Sequence, residues 1–373
     1  MPAVEQIKAK RAGLGLRALN RDKAYPGFTL FAPQSGDGNV YLIDLEGNVT
    51  HTWQMPYPPG NSGYLTERGT LFYNGKIIEN SKRFISGQPW KGGAALEVDW
   101  NGRVLWEVRQ PDHHHDGIRL RNGNVLLICL AQLPQDLVPK IKGGLPGTEH
   151  NGEMYADYLV EMTTGGQGVW EWRTWEHLDP ETDCITALQD LREAWTHGNG
   201  VAEMSNGDIA LSFRNISTVI IIDRKTGEIV WKLGAPPLSG QHAPTPLPNG
   251  NLLLFDNGPH RLDHTMPFSR VIEVDLATKQ IVWKYQERRE SDFFSPRISN
   301  ARRLPNGNTL VCEGDFGRLF EVAADGELVW EYVNPYFGEG PTGPNNRVFR
   351  AYRYSEEEIA RARATAGAPL QSP

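Results

Sequence analysis

The chain has 373 residues, a formal net charge of −7 and no Lys/Arg-rich run, which argues against nucleic acid as a partner. No apolar run is long enough to cross a bilayer, and three cysteines without paired spacing give no disulfide framework. The 39 glycines, 26 prolines and 11 tryptophans instead suit many tight turns with a bulky ring recurring between them.

Residues 1–24 contain no apolar core of the kind a secretory leader needs, so they are read as an extension outside the fold. GFTLFAP (27–33) reads as a strand with no neighbour in sequence to pair with. A phrase then recurs in which an apolar run and a tight turn are closed by tryptophan: Trp53, Trp106, Trp170, Trp231, Trp283 and Trp330. Alternating with it is a second phrase, RLRNGNVLLICL (119–130), AEMSNGDIALSF (202–213), TPLPNGNLLLFD (245–256) and RRLPNGNTLVCE (302–313), with a weaker copy at 65–75. Asn-Gly between two apolar runs predicts a tight hairpin in which both central residues take positive φ.

Intervals of 47 to 64 residues between the closing tryptophans are the spacing of propeller blades, units that bury their faces only by stacking on neighbours. There are six Trp-closed hairpins but five complete partners. RVFRAYRY (347–354) and GFTLFAP supply the missing pair from the two ends of the chain. The expected fold is therefore all-β, a six-bladed β-propeller over 25–355 closed by pairing of its N- and C-terminal strands, which leaves no open edge. Residues 356–373 form a tail, with a short helix in SEEEIARARA (355–364) and a frayed GAPLQSP. Two longer stretches interrupt the repeat: 131–157 reads as a loop, and 171–197 as a rim segment with a short helix near ITALQDLREAW. Cys129 and Cys312 sit in apolar strands and read as buried thiols. The soluble chain is expected in the cytoplasm, or in the periplasm if a leader has been removed.

Aligning the innermost strands on their turns brings one column into register: Asn61, His115, Asn199, His242 and Ser299, with His197 two residues before Asn199 on the same face. Innermost strands line the central channel, and polar residues there need water or a ligand. His115, His197, Asn199 and His242 are thus expected around one funnel. Arg214, just after the next strand, offers planar donors to a sulfate, phosphate or carboxylate. His260, Arg261, His264 and Arg350 are further candidates. The same imidazoles suit a divalent transition metal, with His115, His197 and His242 as ligands. No HExxH motif and no carboxylate accompany the column, so no metal is the first expectation.

DHHHDGIRLRNGNVLL, WTHGNGVAEMSNGDIALSFRNISTVIIID and GQHAPTPLPNGNLLLFDNG are similar to the bacterial arylsulfate sulfotransferase family, strongest over about 94–333. The resemblance implies a six-bladed propeller with its site in the central channel. It implies His242 as the nucleophile that carries the sulfuryl group to a phenol. His115, His197, Asn199 and Arg214 would hold the sulfate oxygens, with a small aromatic sulfate ester as substrate and no cofactor. The chain shows no leader, further N-terminal β domain or cysteine pair near the site, as characterised periplasmic members have, so a divergent member is expected. The alternatives are a metal-dependent lyase, hydrolase or oxidoreductase on the same histidines, or a propeller that only binds a ligand.

Overall fold

A computed structural model of the chain describes residues 13–261, 263–340 and 343–367. Six antiparallel blades of at least four strands form a β-propeller. The innermost strands are Val348–Tyr354, Pro59–Leu65, His113–Arg119, Gly198–Glu203, His242–Pro246 and Asn300–Arg303, each touching the next and the last touching the first. Middle strands such as Val125–Gln132 and Leu252–Asp256 are buried on both faces because blades stack on either side, which is why they read as unbroken apolar runs. Outer strands such as Ile281–Tyr285 meet solvent on one face and show the two-residue alternation.

The ends of the chain close the ring as expected. Phe28–Pro33 pairs with Val348–Tyr354, with Phe28 opposite Tyr354 and Leu30 opposite Tyr352. The segment before this strand departs from the expectation for 1–24. Gly15–Leu19 pairs with Leu328–Val333 and adds a fifth strand to the neighbouring blade, covering its outer edge. Residues 1–12 and 368–373, including most of the GAPLQSP tail, lie outside the described residues. The helix Glu356–Arg363 forms where expected. Ser355 caps it through a reciprocal bond pair with Glu358, and Ile359 and Ala362 are buried.

The Asn-Gly turns adopt a different geometry from the expected one. Leu120 accepts from Gly123 N–H at 3.0 Å and donates to Asn124 at 2.9 Å, so three residues, not two, form the loop. Only the glycine is left-handed (Gly123, Gly207, Gly250 and Gly307 have φ of 90°, 92°, 89° and 88°). This is a type I turn followed by a glycine bulge. The asparagine keeps an ordinary conformation and uses its side chain, as where Asn122 Oδ1 accepts from Asn124 N–H at 2.9 Å.

At two of the repeat tryptophans the ring nitrogen staples one blade to the next, whereas Trp106 donates to Glu97 of its own blade. Trp231 donates to Leu276 O at 2.9 Å and Trp330 to Leu45 O at 2.8 Å. In the first blade that place belongs to His51, whose Nε2 lies 2.9 Å from Trp100 O. Trp53 lies two residues further along its strand and bonds Asp99 O at 3.2 Å.

The two insertions hold each other. Parallel bridges join Gly143 to Ile185, Leu145 to Leu191 and Tyr155 to Ala194. The helix expected near ITALQDLREAW is absent because its backbone groups bond across to the other insertion: Ile185 N–H donates to Lys142 O at 3.0 Å, and Asp190 O accepts from Leu145 N–H at 2.8 Å. Buried Arg192 fixes the arrangement by donating to Ile141 O at 3.1 Å and Gly143 O at 2.6 Å. Cys129 and Cys312 are buried free thiols as expected, and Cys184 is half-buried. Among the described residues no helix is long and apolar enough to cross a membrane.

Candidate active site

Five of the six innermost strands slip register against their neighbours at the level of the histidine column, each through a bulge of one or two residues. The bulges put non-glycine residues at positive φ: Asn61 at 103°, His115 at 50° and Ala243 at 53°, joined by His197 at 55° and Ser299 at 89°, each just before its strand. Such conformations cost about 1–3 kcal/mol each and persist only where the surroundings enforce them. Their effect is to turn side chains out of the sheet and into the channel.

His115, His197, Asn199 and His242 come together there. The His115 and His197 rings lie 4.6 Å apart, edge to face, and Trp90 stacks on His115 at 5.1 Å while meeting His197 at 5.2 Å. Burial and then Arg214 depress the pKa of His197 to about 3, and burial brings His242 to about 3 against the opposing bond to Asn257, with Arg214 adding to the fall. Burial and then the charges of His197, His114, His242 and Arg214 push His115 well below its ordinary value. All three imidazoles are therefore neutral near pH 7.

His242 has a fixed tautomer. Its Nδ1 lies 2.8 Å from Asn257 Oδ1 and 3.2 Å from Gly240 O, both acceptors, so Nδ1 carries the proton. Its Nε2 accepts from Ile298 N–H at 3.1 Å. Asn257 is itself held by donating to Ser295 O at 2.8 Å and Ile298 O at 2.9 Å.

Asn199 is fully buried and donates to Gln241 O at 2.8 Å, leaving its Oδ1 without a partner. Arg214 reaches the wall, donating to Asp190 Oδ2 at 3.0 Å and Asn215 Oδ1 at 2.9 Å. Asp190 comes from the second insertion and also lies 3.0 Å from His260 Nε2. Burial raises its pKa, but His260 and Arg214 outweigh that and hold the carboxyl down at about 2. Arg350 on the closing strand both faces the channel and pairs with a carboxylate, bonding the two oxygens of Asp116 at 2.9 and 2.8 Å. A third contact runs from Arg350 to Asn199 O at 3.3 Å.

Of the remaining candidates, His260 supports the wall through Asp190. Arg261 turns away to Asp256 at 2.8 Å, and partly exposed His264 sits against Asp263 at 2.9 Å. Among the described residues no three His, Cys, Asp or Glu side chains are grouped to hold a metal ion. Trp90, Asn257, Asp116 and Asp190 carry no motif in the sequence and emerge only from the fold.

The fold is a six-bladed propeller whose inner strands gather three neutral imidazoles, an amide and an arginine around its channel. Its residues 9–238 and 237–336 match the model of the arylsulfotransferase (ASST) family, and the chain belongs to that family. It is 24% identical to the arylsulfate sulfotransferase AssT of Escherichia coli O6:H1 over 76% of this chain, and equally identical to that of Lelliottia amnigena over the same share. The chain spans 58% of the length of each of these relatives. A crystal structure of a Bacteroides caccae protein superimposes with a TM-score of 0.55 at 14% identity, covering 89% of this chain and all of that one, and shares the fold.

Proposed function

We propose that the protein moves a sulfuryl group from an aryl sulfate to a phenolic acceptor through a covalent intermediate on His242. The observation that carries this reading is the tautomer of His242: neutral, with its proton held on Nδ1 by Asn257, it keeps a lone pair on Nε2 within the histidine funnel. Family membership supplies the reaction class.

In the first half-reaction Nε2 attacks sulfur, the N–S bond forms, and the S–O(aryl) bond breaks with its electron pair leaving on the aryl oxygen. In the second, the phenol oxygen attacks sulfur, the N–S bond breaks with its electron pair returning to Nε2, and the proton lost by the phenol balances the one taken up by the departed aryl oxide. A neutral imidazole is a competent nucleophile, and the intermediate splits one hard transfer into two. Nε2 must first leave the Ile298 amide. That N–H is then free to donate to a sulfuryl oxygen, beside Arg214 and the His115 and His197 rings. Charge developing on the equatorial oxygens is thus met by donors already in place. No cofactor is assigned.

The test is incubation with 4-nitrophenyl sulfate without acceptor, followed by peptide mass analysis. Sulfurylation of His242 is expected, with release of nitrophenol in a burst matching the enzyme concentration and turnover restored by added phenol. Absence of the adduct, or its survival unchanged in the His242→Ala protein, overturns the reading.

A further inference from the structure

Behind His115 lies a line of buried groups that the reaction above does not use. His114 Nδ1 is 2.7 Å from His115 Nδ1. On its far side, His114 Nε2 is 2.9 Å from Asp157 Oδ1, a close contact bent out of line with the ideal hydrogen-bond direction. Both side chains are at most 1% exposed.

Asp157 is a carboxylate. Its Oδ2 accepts from Gly198 N–H at 2.7 Å and from the Thr196 hydroxyl. Burial raises its pKa, but the bonds from His114, Thr196 and Gly198 outweigh that and hold it below the ordinary value. An acceptor on every side of that carboxylate is excluded, so His114 Nε2 carries a proton. One further proton then lies between His114 and His115. When His114 holds it, His114 carries both its ring protons and His115 keeps its own on Nε2, toward the channel. When that Nε2 proton has gone to a ligand and the shared proton has moved to His115 Nδ1, each ring keeps one proton and His115 Nε2 is a bare acceptor. Among the described residues Nε2 of His115 makes no hydrogen bond, and the residue is 4% exposed.

We propose that Asp157 and His114 form a proton relay that acts through His115, which protonates the departing aryloxide and then takes the proton of the incoming phenol. This rests on the sulfuryl-transfer reading. As the S–O bond breaks, the His115 Nε2 proton goes to the aryl oxygen and the His114 Nδ1 proton moves to His115 Nδ1. His114 is left neutral, its remaining proton toward Asp157. When the phenol attacks, its proton goes to His115 Nε2, and the Nδ1 proton returns to His114. The N–S bond breaks and no proton is gained or lost over the cycle. The His114 Nε2 proton faces Asp157 Oδ1 throughout, which fixes the orientation of the ring that passes the proton on. His115 is the group that touches substrate; His114 and Asp157 are positioning residues.

The experiment compares two donors, phenyl sulfate and 4-nitrophenyl sulfate, in wild-type protein, Asp157→Asn and His114→Gln. Nitrophenoxide departs without a proton, whereas phenoxide needs one. General-acid assistance is worth about 10²–10⁴-fold. Both variants are therefore expected to lose at least about 10²-fold in kcat on phenyl sulfate and only a few-fold on 4-nitrophenyl sulfate. Equal losses on the two donors would mean that Asp157 and His114 merely support the fold, and would overturn the relay. Should a variant not fold, nitrogen-15 spectra of histidine in the wild-type protein decide. A proton on His114 Nε2 is expected, and a bare Nε2 there overturns the proposal. A wild-type protein that labels on neither donor fails the function reading itself, before the relay is compared.

Discussion

The side-chain oxygen of Asn257 lies 2.8 Å from Nδ1 of His242 and has no freedom to turn, because the amide nitrogen is bonded to the carbonyls of Ser295 and Ile298. Asn257→Leu keeps the volume and removes all three bonds. The Nδ1 proton of His242 then keeps only its 3.2 Å contact to Gly240 O, so the tautomer protonated on Nε2, which blocks attack, gains population. A fall of about 10²-fold or more in kcat is expected, by analogy with general-base systems in which a tautomer is lost. Two buried carbonyls also lose their partner, at about 1–3 kcal/mol each. Rate and thermal unfolding measured on the same preparation separate the two effects: Asn257→Ser, which retains an acceptor, is expected to recover rate more than stability.

Acid should unfold the protein through its neutral histidines. His113, His197 and His242 have folded pKa values of about 3, each through burial first, against an ordinary value of 6.5. Because the folded value is depressed, the unfolded chain binds more protons between about pH 6.5 and pH 3, and stability falls as pH falls through that window. Each group contributes up to about 1.4 kcal/mol per pH unit there. Denaturant unfolding from pH 8 to pH 4 is expected to be flat above pH 7 and steep below pH 6. His242→Gln, which takes no proton, should lessen the slope by one proton; an unchanged slope contradicts the assignment.

Trp90 presents the only tryptophan ring seen to contact both His115 and His197 among the described residues. Under the proposed sulfuryl transfer it would contact the aryl group of a donor. Offset aromatic pairs are worth about 0.5–1.5 kcal/mol beyond area burial. Trp90→Ala is expected to raise KM for 4-nitrophenyl sulfate by about threefold to tenfold and to leave inhibition by inorganic sulfate alone. Trp90→Phe should restore most of the affinity.

Arg350 and Asp116 form a buried pair across the channel, with Asp116 also accepting from Val201 N–H at 2.9 Å. Arg350→Met leaves a buried carboxylate without its partner, which typically costs about 3–5 kcal/mol. Adding Asp116→Asn should recover a large part of that loss. A double-mutant cycle on unfolding free energies checks the coupling; additive losses would mean that the two residues do not act as a pair.

The period-2 alternation, the Asn-Gly turns and the recurring tryptophans are local signals, and they sufficed for the blade count and for the closing strand, which follows from a missing partner. The same signals misplaced details that depend on neighbours. Trp53 was read as the repeat residue because it is a tryptophan, yet His51 fills the stapling position and Trp53 serves two residues later. The helix expected in the second insertion has adequate propensity but loses to hydrogen bonds offered by the first insertion. In the site, the polar column was legible because five blades repeat one register. Asn257, Asp157 and Trp90 were not: each reaches the histidines from a different strand or loop, at spacings no motif encodes. Positive φ at His115 and His197 is likewise invisible in residues that seldom adopt it.

The strand that closes the ring, Val348–Tyr354, also carries Arg350 to Asp116 and to the Asn199 carbonyl. A chain in which Val348–Tyr354 has not docked would already possess every histidine of the funnel, yet its first blade would lack an inner strand and Asp116 would lack Arg350. The pocket is thus complete only once Val348–Tyr354 has docked against Phe28–Pro33. Proteolytic nicking near residue 345 should consequently silence the protein without touching any imidazole, and a detached C-terminal peptide supplied in trans would have to restore closure and the Arg350–Asp116 pair in a single docking event.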